Sequence, residues 1–256
     1  MCLWAFVGFG QTLPSPEESK PGDLSLRQIE AFLKTAPIVA VQKDATVGRT
    51  MPWKITLDDG KVRMQGIFKR VNVPWPSPVA DSFKYEIAAY ELNKLLNLDI
   101  VPPAVERKIE GVTGSLQYFV PDCISETDRE RLRLQPPDLQ AFLGRLDEIK
   151  VFEALVKDTC LDKDDTLIQQ PGWKVYRVDF AEAFQPFPGL SPECPVNRCP
   201  QRLFERLQKT VRQVAESYLK PFLSEKEIDA MCERKKKIVA RLEGLMKTEG
   251  ERNVLY

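Results

Sequence analysis

The sequence predicts an α+β protein in which a sheet-rich first half precedes a mainly helical second half. Three observations support this division. Residues 36–120 contain several runs that alternate apolar and polar side chains, the pattern of strands with one buried face. Within them, residues 82–98 carry apolar side chains at helical spacing. After residue 136 the apolar spacing is helical over three long stretches.

The composition is that of an ordinary globular protein, and it limits the available chemistry. Of 256 residues, 43% are hydrophobic, and 37 Lys and Arg balance 37 Asp and Glu. Because such a chain has no global field that attracts nucleic acid, we expect no nucleic-acid partner. The sequence has no histidine, which excludes Ser-His-Asp and Cys-His nucleophiles. Any chemistry must use carboxylates, Lys, Arg, Cys or metal ions.

The first 23 residues predict a leader that precedes the fold. Residues 2–10 form an apolar run that is too short to span a membrane, so no transmembrane span is expected. Residues 11–23 are rich in Pro, Glu and Ser, which is typical of a flexible segment. The apolar run resembles the core of a signal peptide, although basic residues do not precede it. We therefore expect an exported or periplasmic protein, with a cytoplasmic location as the alternative.

The six cysteines bear on the same question. No two of them have C-x-x-C spacing, which argues against a zinc ribbon or a thioredoxin-type motif. Cys194 and Cys199 are separated by four residues and can close a short disulfide loop if the chain is exported. Two free thiols on a connecting segment are the alternative.

The first half is predicted to hold a hairpin and a capped helix. A short amphipathic helix over 24–35 precedes the strands. The residues DDG at 58–60 separate two alternating runs, which predicts a β-hairpin with glycine at a positive φ. Ser82 is the candidate N-cap of the helix over 82–98. Residues 101–120 then predict two further strands joined by a glycine-containing turn.

The second half is predicted to hold long helices after two prolines. The first spans 137–157, with proline at its start. Two more close the chain, at about 200–219 and 224–247. The last begins with Ser224 and Glu227 at the spacing of a capping box.

An acidic stretch lies between the first and second of these helices. Asp158, Asp162, Asp164 and Asp165 crowd one short loop, and Asp179 follows the run WKVYRV, which predicts a strand. Clustered carboxylates repel one another, so a fold that brings them together generally contains a cation. The stretch therefore predicts a metal site, and a solvated acidic loop is the alternative.

Two charged residues of the first half extend this pattern toward phosphoryl transfer. That reaction needs a cation on the phosphates, a carboxylate that positions this cation, and acids or amides that hold magnesium. Lys69 ends the second hairpin strand, and Glu86 lies in the first turn of the next helix, so we expect an ion pair between them. This order is the layout of a two-lobed protein-kinase-like fold, with a β-rich N-lobe over 24–120 and a mainly helical C-lobe over 121–256.

Several segments also resemble a known group of proteins. They are FKYEIAAYELNKLLNLDIVPPAVER, then GSLQYFV, and then VFEALVKDT, TLI and GWKVYRVDFAEAF. These segments are similar to bacterial proteins with an atypical kinase fold, related to HipA-type kinases and to the secretory-pathway kinases. The resemblance covers roughly residues 26–245. It implies an ATP-dependent phosphotransferase with ATP and Mg²⁺ as cofactors, and a protein substrate or partner.

The resemblance assigns roles to residues of the acidic stretch. In that group the loop reads N-T-D-R-N-x-G-N-L-L-I, and the following strand ends in I-D-H-x-R-A-F. Asp179 matches the metal-binding aspartate, and Asp165 replaces the metal-binding asparagine with another hard oxygen ligand. The catalytic aspartate and the arginine after it become Cys160 and Leu161. Asp162 is then the candidate stand-in for the missing base.

These departures in the catalytic loop leave three functions open. The leading one is a pseudokinase or weak phosphotransferase with a partly preserved ATP and Mg²⁺ site. The alternatives are a competent atypical kinase or AMP transferase that uses Asp162, and an exported interaction module without catalysis. Gly48 is the single glycine where a nucleotide-binding turn is expected. Asp158 matches a structural asparagine, and Asp164 is expected to be solvated.

Overall fold

The computed structural model of the protein contains both helices and strands, as the sequence predicts. The structure describes residues 24–43, 51–158 and 162–256. Four subjects of the sequence predictions lie outside the described residues: the leader over 1–23, Gly48, Cys160 and Leu161.

The first half is built on an antiparallel sheet of five strands. Its elements are α1 (Leu26–Thr35), β1 (Ile38–Gln42), β2 (Trp53–Asp58), β3 (Arg63–Lys69), β4 (Asn72–Val73), β5 (Asp81–Ser82), α2 (Phe83–Leu95), β6 (Ala104–Ile109) and β7 (Val112–Tyr118). The strand order is β1-β2-β3-β7-β6, and every neighbouring pair is antiparallel. Strands β4 and β5 pair with each other in a separate ribbon that leads into α2.

Local sequence explains how the sheet and α2 begin and end. The predicted hairpin joins β2 and β3, with Gly60 at φ +85° and its N–H donating to the carboxylate of Asp58 at 2.8 Å. Ser82 caps α2 by accepting the N–H of Lys84. Both predictions are confirmed.

The second half contains a small sheet and most of the helices. Its elements are β8 (Cys123–Ser125), α3 (Glu126–Arg131), α4 (Leu139–Val156), β9 (Thr166–Gln169), β10 (Lys174–Arg177), α5 (Gln201–Lys209), α6 (Arg212–Leu219), α7 (Glu225–Glu249) and α8 (Glu251–Val254). The strand order is β10-β9-β8, again antiparallel. The predicted capping box of Ser224 and Glu227 is present at the start of α7.

Two helix predictions for this half are wrong in detail. Helix α4 begins at Leu139, two residues later than expected, because the carboxylate of Asp138 caps it by accepting the N–H of Ala141. The helix expected over 200–219 is broken into α5 and α6. Thr210 and Val211 take extended backbone there, and both are β-branched residues that lower helix propensity.

The expected disulfide between Cys194 and Cys199 is also wrong. Cys194 is disulfide-bonded, whereas Cys199 is a buried free thiol. The two cysteines face different elements. The sulfur of Cys194 lies near the carbonyl of Lys150 on α4, and the backbone of Cys199 pairs with the segment around Leu255.

The buried side chains form two hydrophobic clusters that meet at Asp179. One cluster fills the space between α1 and the five-stranded sheet and includes Val178. The other is built on α2, α4 and α7 and includes Phe180. Asp179 therefore lies where the chain passes from one cluster to the other. In the part of the chain that the structure describes, the helices are too short or too polar to cross a bilayer.

Candidate functional site

The expected ion pair between Lys69 and Glu86 is present, and Asp179 joins it. The ammonium nitrogen of Lys69 lies 2.5 Å from Oε1 of Glu86 and 2.6 Å from Oδ1 of Asp179. The three residues come from β3, α2 and the segment after β10. The structure thus brings together three of the predicted site residues, and their roles in binding stay predictions.

The three charges of this group differ in burial. The side chain of Glu86 is 1% exposed, that of Lys69 14% and that of Asp179 50%. Burial raises the pKa of Glu86 above its usual range, although the Lys69 ammonium opposes this. Burial also pushes the pKa of Asp179 upward, but the Lys69 ammonium outweighs it and holds this pKa below its usual range. Asp179 is therefore an ionised carboxylate with half of its surface open to a ligand.

Lys69 remains charged in spite of its burial. Desolvation lowers its pKa, but the carboxylates of Asp179 and Glu86 raise it above the ordinary value of 10.5. Two anions on one ammonium also fix its position, since each accepts one of its three N–H donors.

The backbone around Asp179 is held in an uncommon conformation. Asp179 has φ +64°, in the left-handed region that few non-glycine residues adopt. The following residues are tied to two helices. The N–H of Ser82 at the start of α2 donates to the carbonyl of Ala181 at 2.8 Å. The N–H of Phe184 donates to the carbonyl of Val156 at the end of α4. These bonds set Asp179 opposite Lys69.

A close backbone approach at Gly114 sets the position of Lys69 from the other side. A Cβ atom at Gly114 would lie 2.2 Å from the carbonyl oxygen of Lys69 and 2.7 Å from the ring of Phe68. A side chain at this position of β7 would therefore push the end of β3 away. Glycine lets the two strands lie close enough to direct Lys69 toward α2.

The acidic loop is organised by Arg177, whose importance sequence reasoning missed. This arginine is 1% exposed, and three carboxylates surround it. Its Nε lies 2.7 Å from Glu153, one terminal nitrogen 2.9 Å from Asp158, and the other 3.5 Å from Asp165. A signal was available, because a charged residue within an alternating strand is buried only when it has partners.

The loop aspartates have different surroundings. Asp158 is 4% exposed in its ion pair with Arg177, as expected for a structural position. Oδ1 of Asp162 accepts the N–H of Asp164 at 2.9 Å, so this carboxylate closes a tight turn. Asp164 is half-buried, although it was expected to be solvated.

The two predicted metal ligands, Asp165 and Asp179, lie on neighbouring backbone segments, just before β9 and just after β10. The carbonyl of Asp165 accepts the N–H of Val178 at 3.1 Å, directly before Asp179. Within the described ranges, no three or more Cys, Asp or Glu side chains are grouped closely enough to bind a metal ion. If these two carboxylates hold a metal as the sequence predicts, oxygens from a ligand or water would have to complete its coordination, which is common for Mg²⁺.

Comparisons with known proteins identify the fold. No family profile matches the chain, and no curated protein does. The crystal structure of a Helicobacter pylori proinflammatory kinase, CtkA, aligns with 86% of this chain and 98% of that chain, with a TM-score of 0.52 and 9% identity. The open conformation of CtTel1 aligns with 80% of this chain and 12% of that chain, with a TM-score of 0.41 and 12% identity. The likeness to CtkA shows that this chain has a kinase-like fold.

Proposed function

We propose that the chain is a two-lobed kinase-fold protein that binds ATP with Mg²⁺ and has a degenerate catalytic loop. The N-lobe would span 24–120 and the C-lobe 121–256, in the manner of HipA-type and secretory-pathway kinases. Activity would be that of a pseudokinase or a weak phosphotransferase. The contact of Lys69 with both Glu86 and Asp179 is the observation that carries this proposal.

The geometry of this contact suits a bound nucleotide. Phosphates need a fixed cation, and Lys69 is fixed by Glu86. Mg²⁺ prefers carboxylate oxygens, and Asp179 offers a half-exposed carboxylate beside that cation. Bound Mg²⁺ would neutralise charge on the phosphates, while Lys69 orients them at the junction of the two lobes.

The charge balance of the surroundings supports a divalent cation. In the ion pairs that the described residues form around the site, two cations, Lys69 and Arg177, face five carboxylates: Glu86, Glu153, Asp158, Asp165 and Asp179. When all are ionised, three negative charges are in excess. A divalent cation is the ligand that offsets most of this excess.

The turn at Asp162 supports weak activity over the competent alternative. A catalytic base must reach the proton of a substrate hydroxyl. Oδ1 of Asp162 instead accepts the N–H of Asp164, so this oxygen is occupied by the turn and a base would have to act through Oδ2. An atypical kinase or AMP transferase that uses Asp162 as its base remains the second candidate.

Thermal unfolding with and without MgATP tests the nucleotide site. Ligand at 100 times its dissociation constant stabilises the folded state by about 2.7 kcal/mol. We expect this stabilisation in the unaltered chain and in the control Asp164→Ala, and its loss in Asp179→Ala. The proposal would be overturned if MgATP did not stabilise the unaltered chain, a result that favours an interaction module without nucleotide. It would also be overturned if MgATP still stabilised Asp179→Ala.

Phosphoryl transfer from labelled ATP tests the catalytic part. The substitutions Cys160→Asp and Leu161→Arg restore the residues of the resembling family, so together they should raise a weak or absent activity. Robust transfer by the unaltered chain that survives Asp179→Ala would contradict the assignment of the loop.

Export remains part of the proposal. Cys194 is disulfide-bonded, which suits an oxidising compartment such as the periplasm. Thiol labelling of the protein in intact cells and after denaturation tests this. Recovery of the protein from the cytosol with a reactive Cys194 would count against export.

A further inference from the structure

A cavity of about 540 Å³ lies in the helical half, between α4 and the segment that leads into α5. It is separate from the candidate site, since Lys69, Glu86 and Asp179 do not line it. The residues that line it and matter here are Arg145, Glu148, Arg198, Pro200, Arg202 and Tyr256. Three arginines and one carboxylate give its lining side chains an excess of two positive charges.

The buried carboxylate holds two of these arginines in place. Glu148 is fully buried, and its two oxygens are both used. Oε2 accepts an N–H of Arg145, and Oε1 lies 2.8 Å from a terminal nitrogen of Arg202. A guanidinium has five N–H donors, so one bond to Glu148 from each arginine still leaves donors that can face the cavity.

The third arginine is only weakly neutralised. The nearest carboxylate to Arg198 is Asp147 at 3.7 Å, and Lys150 shares this carboxylate at 3.8 Å. Arg198 instead stacks on the ring of Tyr256, with its guanidinium carbon 4.7 Å from the ring centroid.

The aromatic wall of the cavity is fixed as well. The hydroxyl of Tyr256 donates to the carbonyl of Gly144 at 2.7 Å. Its ring lies so close to α4 that a Cβ at Gly144 would be 2.9 Å from it. With Ala141 and Pro200, this ring gives the cavity an apolar side next to its cationic side.

We propose that this cavity binds a small phosphate monoester with an apolar or aromatic body. A phosphate dianion matches the excess of two positive charges. One guanidinium can also donate two parallel N–H bonds to two phosphate oxygens. The apolar body would lie against Tyr256 and Pro200. This site is independent of the proposed nucleotide site and is assigned by the lining of the cavity alone.

Isothermal titration of the full chain with phenyl phosphate tests the proposal. We expect saturable binding with one site, and weaker binding of inorganic phosphate and of phenol, since each lacks half of the recognised chemistry. Arg198→Gln should weaken binding of phenyl phosphate about tenfold or more, because one charged hydrogen-bond partner is removed. Arg198 is 43% exposed, so this variant should fold and melt like the unaltered chain.

Two controls separate this site from others. Arg206→Gln changes an exposed arginine on α5 that lies one turn after Arg202 and outside the cavity, and it should leave binding unchanged. Asp179→Ala should also leave it unchanged. The proposal is overturned by absence of saturable binding at millimolar phenyl phosphate, by equal binding in Arg198→Gln, by equal affinity for inorganic phosphate or phenol, or by loss of binding in Asp179→Ala.

Discussion

Two ion-pair clusters meet at the end of β10, and they differ in how far water reaches them. The Arg177 cluster consists of Arg177, Glu153, Asp158 and Asp165, and the Lys69 cluster consists of Lys69, Glu86 and Asp179. The first is closed, since Arg177 is 1% exposed and its closest partner, Glu153, is fully buried. The second is open on one side, through Asp179.

This difference indicates different tasks for similar chemistry. The buried part of the closed cluster, Arg177 with Glu153 and Asp158, holds the acidic loop to β10 and is out of reach of a ligand. Of its carboxylates, Asp165 is the most exposed, at 19%, and lies beside the open cluster. An open cluster keeps one carboxylate accessible beside a fixed ammonium. Placing Arg177 two residues before Asp179 lets the closed cluster hold the segment that carries the open one.

The largest effect is expected from Arg177→Met. This change leaves the buried carboxylate of Glu153 without its cation, and breaking a buried ion pair in this way costs about 3–5 kcal/mol of unfolding free energy. Urea unfolding measures it. The matched control is Lys174→Met, because Lys174 lies on the same strand in a half-exposed pair with Asp99, a type worth about 0–1 kcal/mol. Similar losses in both variants would contradict the closed character of the Arg177 cluster.

A smaller effect is expected from Lys69→Met. Buried Glu86 loses the Lys69 donor and keeps the backbone N–H of Phe180. Losing one donor costs about 1–3 kcal/mol, and the raised pKa of Glu86 lets it take up a proton instead. Asp179 regains water on its exposed side. The same urea experiment measures the loss. A destabilisation as large as that of Arg177→Met would show that the two clusters are equally closed.

The smallest effect concerns pH and Asp179. The pKa of Asp179 is lowered from its ordinary value of 3.8 in the folded protein, so the unfolded chain binds a proton more readily. The stability that this carboxylate contributes is therefore present above pH 3.8 and is lost as the pH falls through the lower folded pKa. The difference in unfolding free energy between the unaltered chain and Asp179→Asn should therefore shrink as the pH falls below 3.8. A difference that stays constant from pH 6 to about pH 3 would contradict this.

Several elements of both halves could be predicted because their signals are local. The hairpin at Gly60, the cap at Ser82 and the capping box at Ser224 each depend on a few adjacent residues. The Lys69 and Glu86 pair also followed from order along the chain, since a strand and the next helix pack together in a short α+β unit.

The rest depends on contacts between distant residues. Arg177 joins Glu153, which lies 24 positions away on α4, and a single sequence does not show which carboxylates a strand arginine will meet. The error at Cys199 has the same origin. Short spacing favoured a loop to Cys194, but the backbone of Cys199 pairs instead with the distant segment at Leu255.

The contact at Gly114 predicts how the chain tolerates change. Among all residues tried at this position in a saturation library, glycine alone would keep the carbonyl of Lys69 at its present place, since even the Cβ of alanine would lie 2.2 Å from it. Gly60, which has open space around it, should accept asparagine at little cost because asparagine adopts positive φ. A site built by strands that touch at one glycine is therefore sensitive to a residue that contacts no ligand.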